Sequence, residues 1–145
     1  MKQKDPPGTY ILLIALPHRH TIEVGSLDKV TFEQGYYLYV GSALAGLQSR
    51  LQRHLRTEKR THWHIDYLLQ YGCIREIWYH RGPERHECMW AHVLHGMSGI
   101  EPTKAPFGAS DCHCRTHLFY SKTHPELSAF EAEMNHRMSM RKKVL

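Results

Sequence analysis

Gly35-Tyr36-Tyr37-Leu38-Tyr39-Val40-Gly41-Ser42 runs directly into Ala43-Leu44-Ala45-Gly46-Leu47-Gln48-Ser49-Arg50-Leu51-Gln52-Arg53-His54-Leu55-Arg56, and the change of period between the two halves decides the fold class. The first half is aromatic. It predicts a strand over 36–40, opened by Gly35 and ended by Gly41-Ser42. In the second half Leu44, Leu47, Leu51 and Leu55 recur at helical spacing. That spacing predicts an amphipathic helix over 43–56, with Arg50, Arg53, His54 and Arg56 on its other face.

The same alternation continues outward. Residues 9–16 are rich in Tyr, Ile and Leu and predict a strand that Pro17 ends; 21–24 predicts a second, shorter one. Residues 1–7 are charged and Pro-rich, as a frayed lead-in is. Beyond the helix, Thr61 is placed to cap a second helix over 62–70, which Gly72 stops. Residues 73–79 alternate as a strand, and 84–95 predict a third helix, started by acidic residues and ended at Gly96. A loop is expected over 97–110, a last strand over 115–121, and a polar helix from Pro125 to about Met138, finished by Arg141-Lys142-Lys143. This order predicts a small α/β sheet with helices packed on it, in one domain spanning 1–145.

Composition excludes several classes. The longest apolar run, 10–16, is far too short to span a bilayer, so no membrane partner is expected. The leading residues lack the apolar core of a signal peptide, so Cys73, Cys88, Cys112 and Cys114 are expected as reduced thiols in a cytoplasmic protein. The 19 Lys and Arg against 14 Asp and Glu favour a polyanionic partner, and 13 His add charge below neutral pH.

Five constellations carry chemistry, each with a plainer alternative. Tyr10 and Tyr39, each beside a glycine on a strand, can point two phenols into one cleft, or simply reflect strand preference. Arg50 and His54, one helical turn apart, can clamp a phosphate and exchange a proton, or form a solvated basic face. Glu87 shares a stripe with Trp90, Ala91 and Leu94. A carboxylate so placed needs a partner, either a Mg²⁺ ion or an arginine, unless it merely complements the helix dipole. Cys112, Cys114 and His117 bring soft zinc ligands close in sequence, with Cys88 or His86 as a fourth; otherwise they form a tight turn with packed thiols. In His62-Trp63-His64-Ile65-Asp66 the spacing is wrong for a zinc helix, and His64 and Asp66 are expected to pair with backbone or arginine groups.

The order of these signals is more specific than any one of them. Gly8-Thr9-Tyr10, then Tyr39-Val40-Gly41, then Gly46-Leu47-Gln48-Ser49-Arg50-Leu51, then a helical Glu87, resembles the GIY-YIG nuclease superfamily. The resemblance is to a compact branch with a long insertion between the two motifs and a C-terminal segment like 107–120. It covers about residues 8–121, and the superfamily core about 8–95. It implies a small mixed, largely antiparallel central sheet flanked by helices. It implies a metal-dependent endonuclease hydrolysing phosphodiester bonds in nucleic acid, DNA foremost. Tyr10 and Tyr39 take the two tyrosine positions, Arg50 the helix arginine, His54 the position four residues on, and Glu87 the carboxylate for one Mg²⁺ or Mn²⁺.

Gly41 is expected to permit a close backbone turn, and the insertion at about 18–32 to loop out. Gly41, Ser42, Arg53, Arg56, Lys59 and Arg60 would grip the nucleic-acid backbone without reading sequence. Two other classes stay open: a catalytically silent nucleic-acid-binding module, and an interaction domain stabilised by Zn²⁺ on Cys112, Cys114 and His117.

Overall fold

The structure, a computed structural model, describes residues 5–57, 59, 61, 63–104, 107 and 116–145. Nine consecutive residues, Gly8–Leu16, form β1, and all but Ala15 are buried. A strand this apolar must be covered on both faces and paired on both edges. It is: β4 (Gly35–Ala43) lies on one side and β5 (Cys73–Arg81) on the other, both antiparallel. The sheet extends outward to β7 (Leu118–Ser121) and β6 (Ile100–Pro102) beyond β4, and to β8 (Arg141–Val144) beyond β5. Every neighbouring pair among the described residues is antiparallel.

Alternation along the strands divides the core in two. Tyr10, Leu12, Ile14, Tyr37 and Tyr39 face α1 (Leu47–Leu55) and α2 (His64–Leu68). Ile11, Leu13, Leu38, Val40 and Trp78 face α3 (Glu87–His95) and α4 (Leu127–Glu133). No helix among the described residues is long and apolar enough to cross a membrane.

The expected insertion leaves the β1–β4 register intact and forms its own hairpin, β2 (His20–Glu23) with β3 (Lys29–Phe32). The hairpin is docked, since Ile22, Val24 and Phe32 join the first core. β3 and β6 were not expected; they are four and three residues long, too short for a clear period. The helix expected to about Met138 ends at Glu133, because Asn135 and His136 both take positive φ, at 54° and 52°. The chain then extends, and the basic residues expected to finish that helix become β8.

The lead-in is not frayed from Asp5 onward. The N–H groups of Gln48 and Ser49 donate to Asp5 Oδ1 and Oδ2 at 3.0 and 2.9 Å, capping α1 from outside the helix. Those two hydrogen bonds and one from the Ser49 hydroxyl hold the Asp5 carboxyl below its usual range. Leu47 N–H donates to Pro6 O, and Gly82 N–H to Pro7 O, both at 2.9 Å.

β4 continues through Gly41-Ser42 to Ala43, where the sequence had indicated an end. Gly41 is therefore an in-strand glycine, paired directly with Tyr10. The Tyr10 ring lies over it, and a Cβ there would meet the phenol oxygen at 2.5 Å. The glycine serves a side chain's close approach rather than a backbone turn. Gly41→Ala is expected to lower stability by about 1–3 kcal/mol as the displaced ring disturbs the core. Urea unfolding reads this directly, and an unchanged midpoint would mean the ring is free to move.

Candidate active site

Tyr10 enters the site from β1 and His54 from α1. Tyr10 Oη lies 2.7 Å from His54 Nε2, and both residues are buried, at 1% and 2% exposure. The expected solvated basic face is thus wrong for His54. Residues 47, 51, 54 and 55 follow i, i+4, i+7 and i+8, which is the inward stripe of a helix. Burial, with the Lys59 charge nearby, pushes the His54 imidazole down to about 3, so it is neutral near pH 7. Burial also raises the Tyr10 phenol well above its ordinary range; Arg50 opposes that rise. The pair is a neutral phenol–imidazole couple, and among the described residues His54 Nδ1 has no hydrogen-bond partner.

Arg50, one turn earlier on α1, donates from Nη1 to Ser42 O at 3.2 Å. Its guanidinium lies 4.5 Å from the centre of the Trp63 ring, and that of Arg53 lies 4.1 Å from the same ring. This stacking holds the Arg50 side chain in place without neutralising it. Arg53 differs. It forms two parallel hydrogen bonds to the buried Asp66, at 3.1 and 2.9 Å, and Lys59 lies 3.9 Å from the same carboxylate. Asp66 also accepts from Trp63 N–H at 2.9 Å, starting α2. The sequence expectation that Asp66 pairs with backbone and arginine holds; the cap is Asp66 within the helix rather than Thr61. Lys59 Nζ donates to His54 O at 2.7 Å, closing the end of α1.

Arg53 and Lys59 are therefore tied into the fold rather than presented as an open grip. Arg56 is exposed, and Arg60 lies outside the described residues. Ser42 is turned to the opposite face, its hydroxyl 3.5 Å from that of Thr9.

Tyr39 is 8% exposed, the more open of the two tyrosines. Burial and then the Glu87 charge push its phenol up to about 12, with Arg50 opposing. Glu87 begins α3 on the other side of the sheet, and its side chain is 20% exposed. Its position is held through Thr9, whose hydroxyl accepts from His86 N–H at 3.3 Å. His117 is buried, with Nδ1 3.9 Å from Glu87 Oε2. The expected zinc partners Cys112 and Cys114 lie outside the described residues. Cys88 and Cys73 are exposed.

A divalent ion would find one carboxylate here. Among the described residues, no group of three or more His, Cys, Asp or Glu could hold a metal. One carboxylate suits Mg²⁺, which keeps most of its waters and takes substrate oxygens as further ligands. Sequence reasoning missed Trp63, Asp66 and Thr9 as the groups that orient the site. Trp63, set within a run of histidines beside a basic helix, was the available signal.

Among known proteins, the model of a domain of unknown function, DUF123, matches residues 9–140. No curated protein and no solved structure matches the chain.

The buried imidazole makes stability depend on pH. The folded-state value, about 3, lies below the ordinary 6.5, so the unfolded chain binds the proton more readily. The contribution is complete above pH 6.5 and is lost as pH falls from there toward 3, at up to about 1.4 kcal/mol per unit. Urea unfolding at several pH values between those limits should show this slope, and His54→Gln should flatten it.

Proposed function

The chain belongs to the DUF123 family, a domain of unknown function, and from the geometry of its own site we propose that it is a metal-dependent endonuclease hydrolysing phosphodiester bonds in nucleic acid, DNA foremost. The observation that carries this reading is convergence. Tyr10, Tyr39, Arg50 and His54 come from two strands and a helix on one face, and the Glu87 charge reaches the two tyrosines from a helix on the other. A fold alone does not need this set of groups together. These are the residues to which the resemblance to the GIY-YIG superfamily gives roles.

In this mechanism Glu87 would hold one Mg²⁺ or Mn²⁺ ion. The bound ion supplies Lewis-acid stabilisation of the scissile phosphate and the leaving oxygen. Arg50, held on Trp63, donates to the phosphoryl oxygens as charge develops on them. Tyr39, the more exposed phenol, orients the attacking water. Tyr10, oriented by its hydrogen bond to His54 Nε2, relays the water's proton toward the leaving oxygen, and His54 stays neutral. Arg56 contacts the backbone outside the site. The exposed thiol of Cys73 suits the reducing cytoplasm.

One observation favours a second reading. Tyr10 and His54 are almost fully covered, as in a module that binds nucleic acid without cutting it. Incubating the protein with labelled DNA and RNA in Mg²⁺, Mn²⁺ or EDTA separates the two readings. The nuclease reading expects metal-dependent products that disappear with Glu87→Gln. It expects Arg50→Ala to lower kcat by about a hundredfold or more, with substrate binding weakened much less. Cleavage that persists in Glu87→Gln would remove Glu87 from the mechanism. Binding without cleavage of any substrate would establish the silent module.

A further inference from the structure

With Arg53 and Lys59 facing Asp66, the excess positive charge of this chain lies elsewhere. β8 reads Arg141-Lys142-Lys143-Val144, and all four residues are exposed at the edge of the sheet. Its register with β5 sets Lys143 opposite Ile77 and Arg141 opposite Tyr79. Paired residues share a face, so Arg141 and Lys143 lie on the side that carries α1, together with Arg81. A groove of about 200 Å³ runs there, lined by the apolar Leu47, Leu51, Leu55 and Ile77 and rimmed by Tyr79, Arg81 and Lys143 of the sheet and by Gln48 and Gln52 of α1.

The charge in this groove is only partly offset, the Arg81 charge acting on the Asp5 carboxylate. No ion pair among the described residues engages Arg81, Arg141 or Lys143. Arg81 lies 5.6 Å from the centre of the Tyr79 ring. The acid nearest in effect is Asp5, whose oxygens accept from Gln48 and Ser49. Glu76 of β5 faces the other way, accepting from Trp78 Nε1 at 3.0 Å and lying 3.1 Å from His124. Lysines on an edge strand also disfavour its pairing with another strand, so a second chain added to the sheet is a poor occupant.

We propose that the β8 edge and its groove form a binding surface for the sugar–phosphate backbone of nucleic acid, with phosphates on Arg81, Arg141 and Lys143 and neutral donors from Gln48 and Gln52. The choice of this polyanion rests on the reading of the chain as a nucleic-acid protein. Arg141 and Lys143 are two residues apart on an extended strand, about 7 Å. Side chains at that spacing can reach neighbouring phosphates of one strand. α1 separates this groove from the Tyr10–His54 couple, with Gln48 and Gln52 on one flank and Arg50 on the other. A backbone on the edge therefore lies about one helix diameter, roughly 10 Å, from the candidate site.

The test is equilibrium binding of labelled mixed-sequence duplex DNA, in EDTA so that nothing is cut, from about 50 to about 200 mM salt. The double variant Arg141→Gln/Lys143→Gln should bind about tenfold or more weakly, with a salt slope smaller by about 1.8, one phosphate contact per cation removed. Arg81→Gln, on β5, repeats the measurement without touching β8, and thermal melting checks that each variant is folded. Wild-type affinity and slope in folded variants would overturn the proposal. So would binding to phosphatidylserine vesicles with no binding to DNA. A parallel incubation in Mg²⁺ keeps the two readings apart. Binding that depends on the edge, without cleavage of any of the DNA and RNA substrates, retains this surface and ends the nuclease reading. Cleavage with binding indifferent to these variants does the reverse.

Discussion

The structure depends on one constraint: β1 is apolar on both faces and can have no free edge. Eight of its nine residues are buried. The chain must therefore supply a strand on each side and a helical layer above and below. β4 and β5 meet the first demand, and the pairs α1–α2 and α3–α4 the second. The candidate site is a by-product of that burial. Tyr10 is a core residue of the central strand, and the site lies where its hydroxyl surfaces against α1. Gly41 must lack a side chain for the ring to lie there.

Polar chemistry in such a place needs support from further out. Asp66 gathers Arg53, Lys59 and the start of α2 onto one buried carboxylate, which locks α2 to the end of α1. Trp63, at that junction, provides the plate on which Arg50 lies. On the other side of the sheet, Thr9 ties β1 to the backbone at the start of α3 and so determines where Glu87 begins. Neighbouring residues of β1, Thr9 and Tyr10, thus orient the two halves of the site from opposite faces.

Much of this was legible in the sequence where one period dominates. The strands at 9–16 and 36–40 were legible as continuous apolar and aromatic runs, buried on both faces, and that at 73–79 by its alternation. Of the expected helix stripe Leu47, Leu51 and Leu55 are present, while Leu44 is exposed and precedes α1, which begins only at Leu47. The ends were less legible. Gly41-Ser42 has the composition of a turn, yet its glycine is required by the Tyr10 ring, which lies on the neighbouring strand but far away in the sequence, where no local window reaches. His54 occupied an inward position by spacing but was set outside by its polarity. Arg53 and Lys59 looked like solvent charges because their common partner, Asp66, lies in another helix. β8 was hidden because its stability comes from pairing with β5, while three adjacent cations have little strand character of their own.

The register of β1 also bears on how the chain reaches this structure. Gly8 pairs with Ala43 on one side and Arg81 on the other, so neither ladder of the central strand can form locally. Loop closure must precede any gain from burying β1, which places the molecule among slow-folding, high-contact-order topologies. The β2–β3 hairpin eases the first closure. It pairs neighbours in sequence, sets Ile22 and Phe32 in the core, and shortens the free loop that joins β1 to β4. The segment that joins β1 to β4 is thus suited to act as the local nucleus on which the central sheet assembles.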